Sequence, residues 1–342
     1  MTKIKYASPH ILESDIKAVA DVMRSGTLTQ GKEVKLYERE IAKYVGSKYA
    51  VAFNSATTAL YCAYKAVGLG EGDEFTTTPI SFVATANVAK LIGAKVFFQD
   101  RKVITGNFAV PVHYAGRPHL FYGDRVVEDA SHALGSEVEG RKVGSCLHSD
   151  VCVFSTHAIK NITTGEGGIA TTNIPEYYDE LMRIREHGRI DGQCRSFGFN
   201  FRLTEMQAAL GRSQLRRIDS MRDQRQAIFD EYTKKLSGYV ETPEERSEPT
   251  FWHLYPVLLK TQTQRDKLRA FLKRKGIETQ IHYKPIYLEP AYQDDGWEKG
   301  ICPKAEDFWH RELSLPIHCN LFKDDVHKVI YNVRRFIDKC PK

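Results

Sequence analysis

Apolar residues recur along this chain with two periods that alternate. Ile16, Val19, Ala20 and Met23 share one face of a helix predicted over 14–23, with Gly26 as its stop, and 33–45 repeats the pattern up to Gly46. From position 49 short runs of β-branched and apolar residues appear at 49–53, 75–78, 95–98, 109–113, 125–128, 150–154 and 169–172. Several hand over directly to helical spacing; after 49–53, for instance, Ala56, Ala59, Leu60, Ala63 and Val67 fall on one side. Such alternation predicts an α/β fold built on a mostly parallel central sheet with crossover connections. The glycines at 68, 70 and 72 follow a helix instead of a strand, so they read as a helix end and turn and not as a dinucleotide fingerprint.

Beyond the strand at 169–172, a helix is predicted over 175–186 with Pro175 at its start, then a polar, mobile loop over 189–199. Thr204 and Gln207 are spaced as a capping box for a long helix whose charged continuation, 216–235, crosses from a large domain (1–215) to a small C-terminal α+β domain (216–342). The small domain reads as strand 251–259, helix 265–275, strand 278–283, helix 305–313 and a last helix from 324. Val326, Val329, Ile330, Val333 and Ile337 form the stripe of that last helix.

Composition narrows the class. With 342 residues, 42% hydrophobic and 27% charged, the chain suits a large domain plus a smaller one. No apolar run reaches the roughly 18 residues of a membrane span, and the first residues lack a signal-peptide core, so a cytoplasmic location is expected. Seven scattered cysteines lack the spacing of zinc sites and read as reduced thiols, with no metal expected. The net charge of +6 is spread among acids, which suits an anionic small molecule such as a nucleotide diphosphate and argues for neither nucleic acid nor a membrane surface.

Four strand-to-loop junctions carry candidate chemistry. In Ser-Thr-His-Ala-Ile-Lys-Asn-Ile-Thr-Thr-Gly-Glu-Gly-Gly, from Ser155 to Gly168, Lys160 sits on a turn between two strands. It is either a solvated loop lysine or an amine whose depressed pKa makes it a nucleophile toward a carbonyl. Asp129 ends a predicted parallel strand, where open α/β sheets bind ligands; it is either a helix cap or the carboxylate that a pyridoxal ring nitrogen requires, with His132 three residues on to orient it or pack on the ring. Ser55, Ala56 and Thr57 open a helix whose free amides favour a phosphate, unless the hydroxyls serve only as caps. Phe82, just past the strand ending at 78, is either core or a ring that stacks on a flat ligand.

In this order the four pieces resemble the DegT/StrS family of pyridoxal-phosphate nucleotide-sugar aminotransferases. So do Leu28-Thr-Gln-Gly, Gly198-Phe-Asn-Phe-Arg-Leu-Thr-Glu-Met-Gln, Phe251-Trp-His-Leu-Tyr-Pro, Ile281-His-Tyr-Lys-Pro and Leu313-Ser-Leu-Pro. The resemblance spans nearly the whole chain and implies the type I fold of pyridoxal-phosphate transferases, a homodimer with shared active sites, L-glutamate as amino donor and a keto carbon, C4, of a nucleotide-linked deoxy sugar as acceptor. It implies Lys160 as the Schiff-base lysine, Asp129 as the ring-nitrogen partner and Phe82 as the stacking ring. Ser155, Ala56 and Thr57 would hold the phosphate, with Asn200 supplied by the second subunit. Tyr6, Thr29, Gln30, Arg202 and His282 would line the sugar-nucleotide side. Relatives with a dehydratase activity carry histidine in place of the lysine, and regulators retaining the fold carry a DNA-binding extension; Lys160 and the absence of a helix-turn-helix before residue 14 argue against both. One departure from the family is that only about ten residues separate the strands near 100, 112 and 126, close to the minimum for a parallel crossover. Loops are expected there in place of two outer helices.

Overall fold

The structure, a computed structural model, describes residues 3–293 and 295–339. In chain order it runs α1 (Glu13–Ser25), α2 (Lys32–Val45), β1 (Tyr49–Phe53), α3 (Ala56–Ala66), β2 (Glu74–Thr77), α4 (Ala84–Ile92), β3 (Lys95–Phe98), β4 (Val103–Val110), β5 (Leu120–Asp129), a small hairpin of β6 (Glu137–Val138) and β7 (Arg141–Lys142), β8 (Val151–Ser155) and β9 (Gly168–Thr172). There follow α5 (Pro175–Arg185), β10 (Arg189–Ile190), β11 (Gln193–Cys194), α6 (Glu205–Leu215), α7 (Ile218–Leu236), β12 (Tyr255–Leu258), α8 (Gln262–Arg274), α9 (Pro290–Gln293), α10 (Pro303–Arg311), β13 (Glu312–Leu315) and α11 (Lys323–Asp338).

Seven strands form one sheet in the order β1-β9-β8-β5-β4-β2-β3. β9 runs antiparallel to both neighbours and the remaining pairs are parallel. Period-2 alternation divides the side chains between two cores: Val51, Phe53, Val151 and Val153 join one, while Ala50, Ala52, Cys152 and Phe154 join the other. Helices α3, α4 and α5 cover the first face, and α2 and α6 the second. A third core gathers Phe229, Trp252, Tyr255, Leu268, Leu313 and Val329 between α7, α8, α11 and the β12–β13 pair. Register sets the site: Phe53 and Ser155 both pair with Gly168, and Asp129 pairs with Val153, so the ends of β1, β5 and β8 meet at one edge of the sheet.

Several sequence expectations are corrected. The helix predicted from 204 to 235 is two helices, because Arg217 leaves helical geometry (φ −122°, ψ 16°) and sends its guanidinium to the buried Asp15 and to the His10 carbonyl. The mobile loop of 189–199 contains a tight hairpin, β10–β11, turned at Asp191-Gly192 with both residues at positive φ. The strand of 251–259 shrinks to β12, that of 278–283 to one bridge between Gln280 and Ser314, and the last residues assigned to the helix of 305–313 belong to β13.

The short gaps around 100–125 hold strand where loops were expected. Val103-Ile104-Thr105 and Leu120-Phe121-Tyr122 are strong β-formers and pair in parallel ahead of the parts of β4 and β5 that reach β2 and β8. Gly106 and Gly123 face each other there, and a Cβ on Gly123 would come within 2.7 Å of the Gly106 carbonyl. The extension leaves Leu120 and Tyr122 exposed. The six described cysteines are free thiols, and Cys340 lies outside the described residues.

Candidate active site

Asp129 is buried at the carboxyl end of β5. No helix follows it; one carboxylate oxygen accepts the Ser131 hydroxyl (2.6 Å) and amide (3.1 Å), and the other accepts the Thr85 hydroxyl (2.7 Å) from α4. The helix-cap alternative therefore falls away, and the carboxylate is held rigidly with acceptor capacity to spare. Thr85 was not legible as a site residue, because its partner lies 44 positions away.

Lys160 closes a turn after β8, its amide donating to the His157 carbonyl (2.9 Å). Its ammonium makes no hydrogen bond or ion pair among the described residues. Burial pulls its pKa from the usual 10.5 to about 8, with the Asp129 charge opposing the fall. A lysine with a pKa near 8 is a free amine in about a tenth of molecules at pH 7, against fewer than about one in a thousand for an ordinary lysine.

Beside them, Ser55 caps α3 by accepting the Thr58 amide (3.1 Å), which leaves the helix's first amides, at Ala56 and Thr57, pointing outward. A Cβ on Gly168 would fall 2.3 Å from the Ser55 carbonyl and 2.5 Å from the Ala56 nitrogen, so β9 approaches this helix start as only glycine permits. Ser155 sits at the end of β8, its hydroxyl accepting the His157 amide (3.4 Å). Phe82 is 59% exposed, an unusual state for a phenyl ring, and lies 6.4 Å from the Tyr283 ring.

The wall opposite is aromatic and neutral. His132 accepts the Ala115 amide at Nδ1 (3.3 Å), leaving Nε2 to donate to the Tyr283 hydroxyl (3.4 Å). Burial, then the charge of Lys160, holds His132 well below the usual histidine range, and burial with His132 and Lys160 does the same to His253, whose ring is 4.3 Å away. His282 is held down to about 3 by burial and Lys160; its ring bonds Ser314 (2.9 Å) and Tyr6 (3.4 Å), and its carbonyl accepts the Tyr114 hydroxyl (2.8 Å). Tyr114 and Glu312 escaped the sequence reading, since neither sits at a strand-to-helix junction, and His253 and Tyr283 fell inside the motifs that carry the resemblance without being given a role.

Thr29, Gln30 and Arg202 make no side-chain contact with Lys160 or Asp129 among the described residues. Glu205, buried at the start of α6, accepts the Glu33 amide (2.6 Å) and the Val34 amide (3.3 Å) from the first turn of α2, and its own amide donates to the Leu28 carbonyl (3.0 Å), which holds the turn at 28–31 in place. Gln30 and Arg202 line a cavity of about 500 Å³ that does not include Lys160 or Asp129. Arg202 donates to Glu186 (2.9 Å) and pairs in backbone with Phe53, while Asn200 is exposed beside it.

An unpartnered, half-buried amine, a fixed carboxylate, an open helix start and an exposed ring converge at one sheet edge. Comparison with known proteins agrees: the DegT/DnrJ/EryC1/StrS aminotransferase family matches residues 9–118 and 121–334. The chain belongs to this family. This aminotransferase is 36% identical to the UDP-4-amino-4,6-dideoxy-N-acetyl-beta-L-altrosamine transaminase of Helicobacter pylori, with 97% of each chain covered. It is 32% identical to the spore coat polysaccharide biosynthesis protein SpsC of Bacillus subtilis, over 98% of this chain and 97% of that one. Among solved structures, Helicobacter pylori PseC, an aminotransferase involved in the biosynthesis of pseudoaminic acid, superposes with a TM-score of 0.91 at 33% identity, covering 99% of this chain and 100% of the other. The putative sugar aminotransferase Spr1654 of Streptococcus pneumoniae in its PLP form gives 0.91 at 28%, covering 99% of each.

Aminotransferases of this family depend on pyridoxal 5′-phosphate, and the residues present fit that group. The amides of Ala56 and Thr57 with the Gly168 approach suit its phosphate, the fixed Asp129 carboxylate its ring nitrogen, and the Lys160 amine its aldehyde. Among the described residues no helix is long and apolar enough to cross a membrane.

Proposed function

We propose that this aminotransferase moves an amino group from L-glutamate to a keto carbon, C4, of a nucleotide-linked deoxy sugar, in the cytoplasm, as a step in amino-sugar synthesis for surface glycans. Bound pyridoxal phosphate supplies the electron sink for this chemistry. Asp129 faces the ring nitrogen and favours its protonated form. Ala56, Thr57 and Ser155 hold the phosphate, Phe82 covers the ring, and His132 packs beside it as a neutral donor. Lys160 would hold the cofactor through its aldehyde and would serve as the base that moves a proton at the substrate carbon, a task its lowered pKa suits.

Tyr6 and His282 contact the sugar from the same chain. Thr29, Gln30, Asn200 and Arg202, none of which contacts the Lys160 side chain among the described residues, serve the partner's site in a homodimer. The relatives' printed activities support the substrate class: the Helicobacter pylori relative is named for a UDP-linked amino sugar.

The observation that carries this reading is the unpartnered Lys160 amine, held near pKa 8 by burial across from Asp129. Incubation of the loaded enzyme with glutamate and a panel of UDP-, dTDP- and GDP-linked keto sugars, read by mass, should yield one aminated product and 2-oxoglutarate. Turnover of none of them, with the cofactor bound, would overturn the substrate assignment.

A further inference from the structure

Glu312 is fully buried, yet it is neither a cofactor ligand nor part of a full ion pair. One of its carboxylate oxygens accepts the His282 amide (2.7 Å); the other is 2.5 Å from the Ser314 hydroxyl, which in turn is 2.9 Å from Nδ1 of His282. Nε2 of the same ring is 3.4 Å from the Tyr6 hydroxyl. Carboxyl, hydroxyl, imidazole and phenol thus form one chain of hydrogen bonds leading from β13 to the half-buried Tyr6. The Tyr114 hydroxyl also reaches Ser314 but donates its own proton to the His282 carbonyl. A serine hydroxyl has one proton and a neutral imidazole one N–H, so with the Ser314 proton shared between Glu312 and Nδ1 the directions along this chain follow from the first bond.

When Glu312 is ionised, Ser314 donates to it, Nδ1–H donates to Ser314, and Nε2 accepts from Tyr6. When Glu312 is protonated, it donates to Ser314, Ser314 donates to Nδ1, and Nε2–H donates to the Tyr6 oxygen. The Tyr6 proton is then free to point into the site. We propose that Glu312 is a positioning residue that sets, through Ser314, which nitrogen of His282 carries the proton, and thereby whether Tyr6 meets the substrate as donor or acceptor. Carbonyl and phosphate oxygens only accept, so the protonated state of Glu312 is the one that binds them.

Burial raises the Glu312 pKa to about 8, against the lowering effects of the Ser314 hydroxyl, the His282 amide and Arg265 on α8. Tyr6 from the N-terminal segment, Tyr114 from its turn at 114–116 and Tyr283 beside His282 also face Glu312, and Lys160 faces His282. Arg225 on α7 faces Tyr6. The tyrosines are all held above their ordinary range, chiefly by burial, so of the groups joined by these hydrogen bonds Glu312 is the one that changes charge between pH 7 and 9. Lys160, which faces His282 and titrates in the same window when its amine is free, is the reason the test uses cofactor-loaded protein, in which that amine would be taken up by the cofactor.

The test is nitrogen NMR of ¹⁵N-histidine-labelled, cofactor-loaded protein, with His282 assigned by its loss in His282→Gln. The His282 proton should move from Nε2 to Nδ1 as pH rises through about 8. Glu312→Gln, whose oxygen is taken by the His282 amide so that its NH2 donates to Ser314, should hold it on Nε2 from pH 6 to 9.5, and Ser314→Ala should abolish the switch. Kinetically, KM for the keto sugar should rise about ten-fold from pH 7 to 9 in the wild type and stay within about two-fold in Glu312→Gln, with kcat moving alike in both. A single His282 tautomer across that range in the wild type, a measurement that needs no variant to fold, overturns the proposal. The consequence for KM rests on the proposed function, but the tautomer does not. Protein that switches without turning over any sugar still supports the relay, and protein that turns over without switching refutes it.

Discussion

The two halves of the site are built in opposite ways. The half that faces the cofactor is assembled from strand ends: β1, β5 and β8 deliver Ser55, Asp129 and Ser155 to one edge through sheet register alone, and Lys160 follows five residues after β8. The half assigned to the substrate under the proposed function is assembled from distant segments, with Tyr6 reaching His282 across 276 positions and Tyr114 reaching it across 168. Their electrostatics differ as well. The first places an acid and a base against each other, while the second keeps histidines and tyrosines neutral by burial. The proposed function thus puts chemistry in the half that a small number of backbone pairings define, and selectivity in the half that depends on how the C-terminal core docks.

If that division holds, the largest losses come from the first half. Lys160→Ala should lower turnover by more than about 10⁴-fold, since anchor and base are lost together. Assay of the loaded variant with glutamate checks it, and activity within ten-fold of wild type would break the contrast. The same residue costs stability. A lysine whose folded pKa is lowered from 10.5 to about 8 is disfavoured in its charged form by the fold. That cost is complete below about pH 8 and disappears toward 10.5. Cofactor-free Lys160→Met should therefore be more stable than cofactor-free wild type at pH 7, by roughly 2–3 kcal/mol. The gap should narrow above pH 8 when followed by urea denaturation.

Asp129→Asn ranks next. The amide keeps the Thr85 and Ser131 bonds within reach but loses the charge, so the cofactor should remain bound while kcat falls about 10²–10³-fold. Because Asp129 opposes the fall of the Lys160 pKa, its removal should shift the amine's midpoint below about 8. The rate at which cofactor-free protein takes up pyridoxal phosphate, followed by visible absorbance against pH, reads that midpoint. An unchanged midpoint would mean the two side chains do not sense each other.

What was legible in the sequence follows the same division. Lys160, Asp129 and the α3 start were readable because each sits where a strand gives way to a turn or helix, a local pattern. Thr85, Tyr283 and Glu312 were not, because each looks like an ordinary helix, loop or strand residue until the fold brings it to Asp129, His132 or His282. The break at Arg217 was hidden for a similar reason: helical periodicity continues through it, and only the attraction of Asp15, about two hundred positions upstream, interrupts the helix. The extension of β4 and β5 was missed because the length of the gap was weighed and its β-branched and aromatic content was not.

The smallest effect belongs to Tyr6. Tyr6→Phe keeps the ring beside His282, with centroids 5.4 Å apart in the parent, and removes one hydroxyl from the outer end of the Glu312 relay. A single neutral hydrogen bond contributes about 1 kcal/mol, so KM for the keto sugar should rise about five-fold while kcat holds. Loss of kcat by as much as KM gains would move Tyr6 into the chemical half and erase the boundary drawn above. The relay sharpens this further. With no hydroxyl to orient, Glu312→Gln should add nothing to Tyr6→Phe at pH 9, whereas on the parent it should lower KM; additive effects in that double-mutant cycle would mean Glu312 acts on the substrate by some route other than Tyr6.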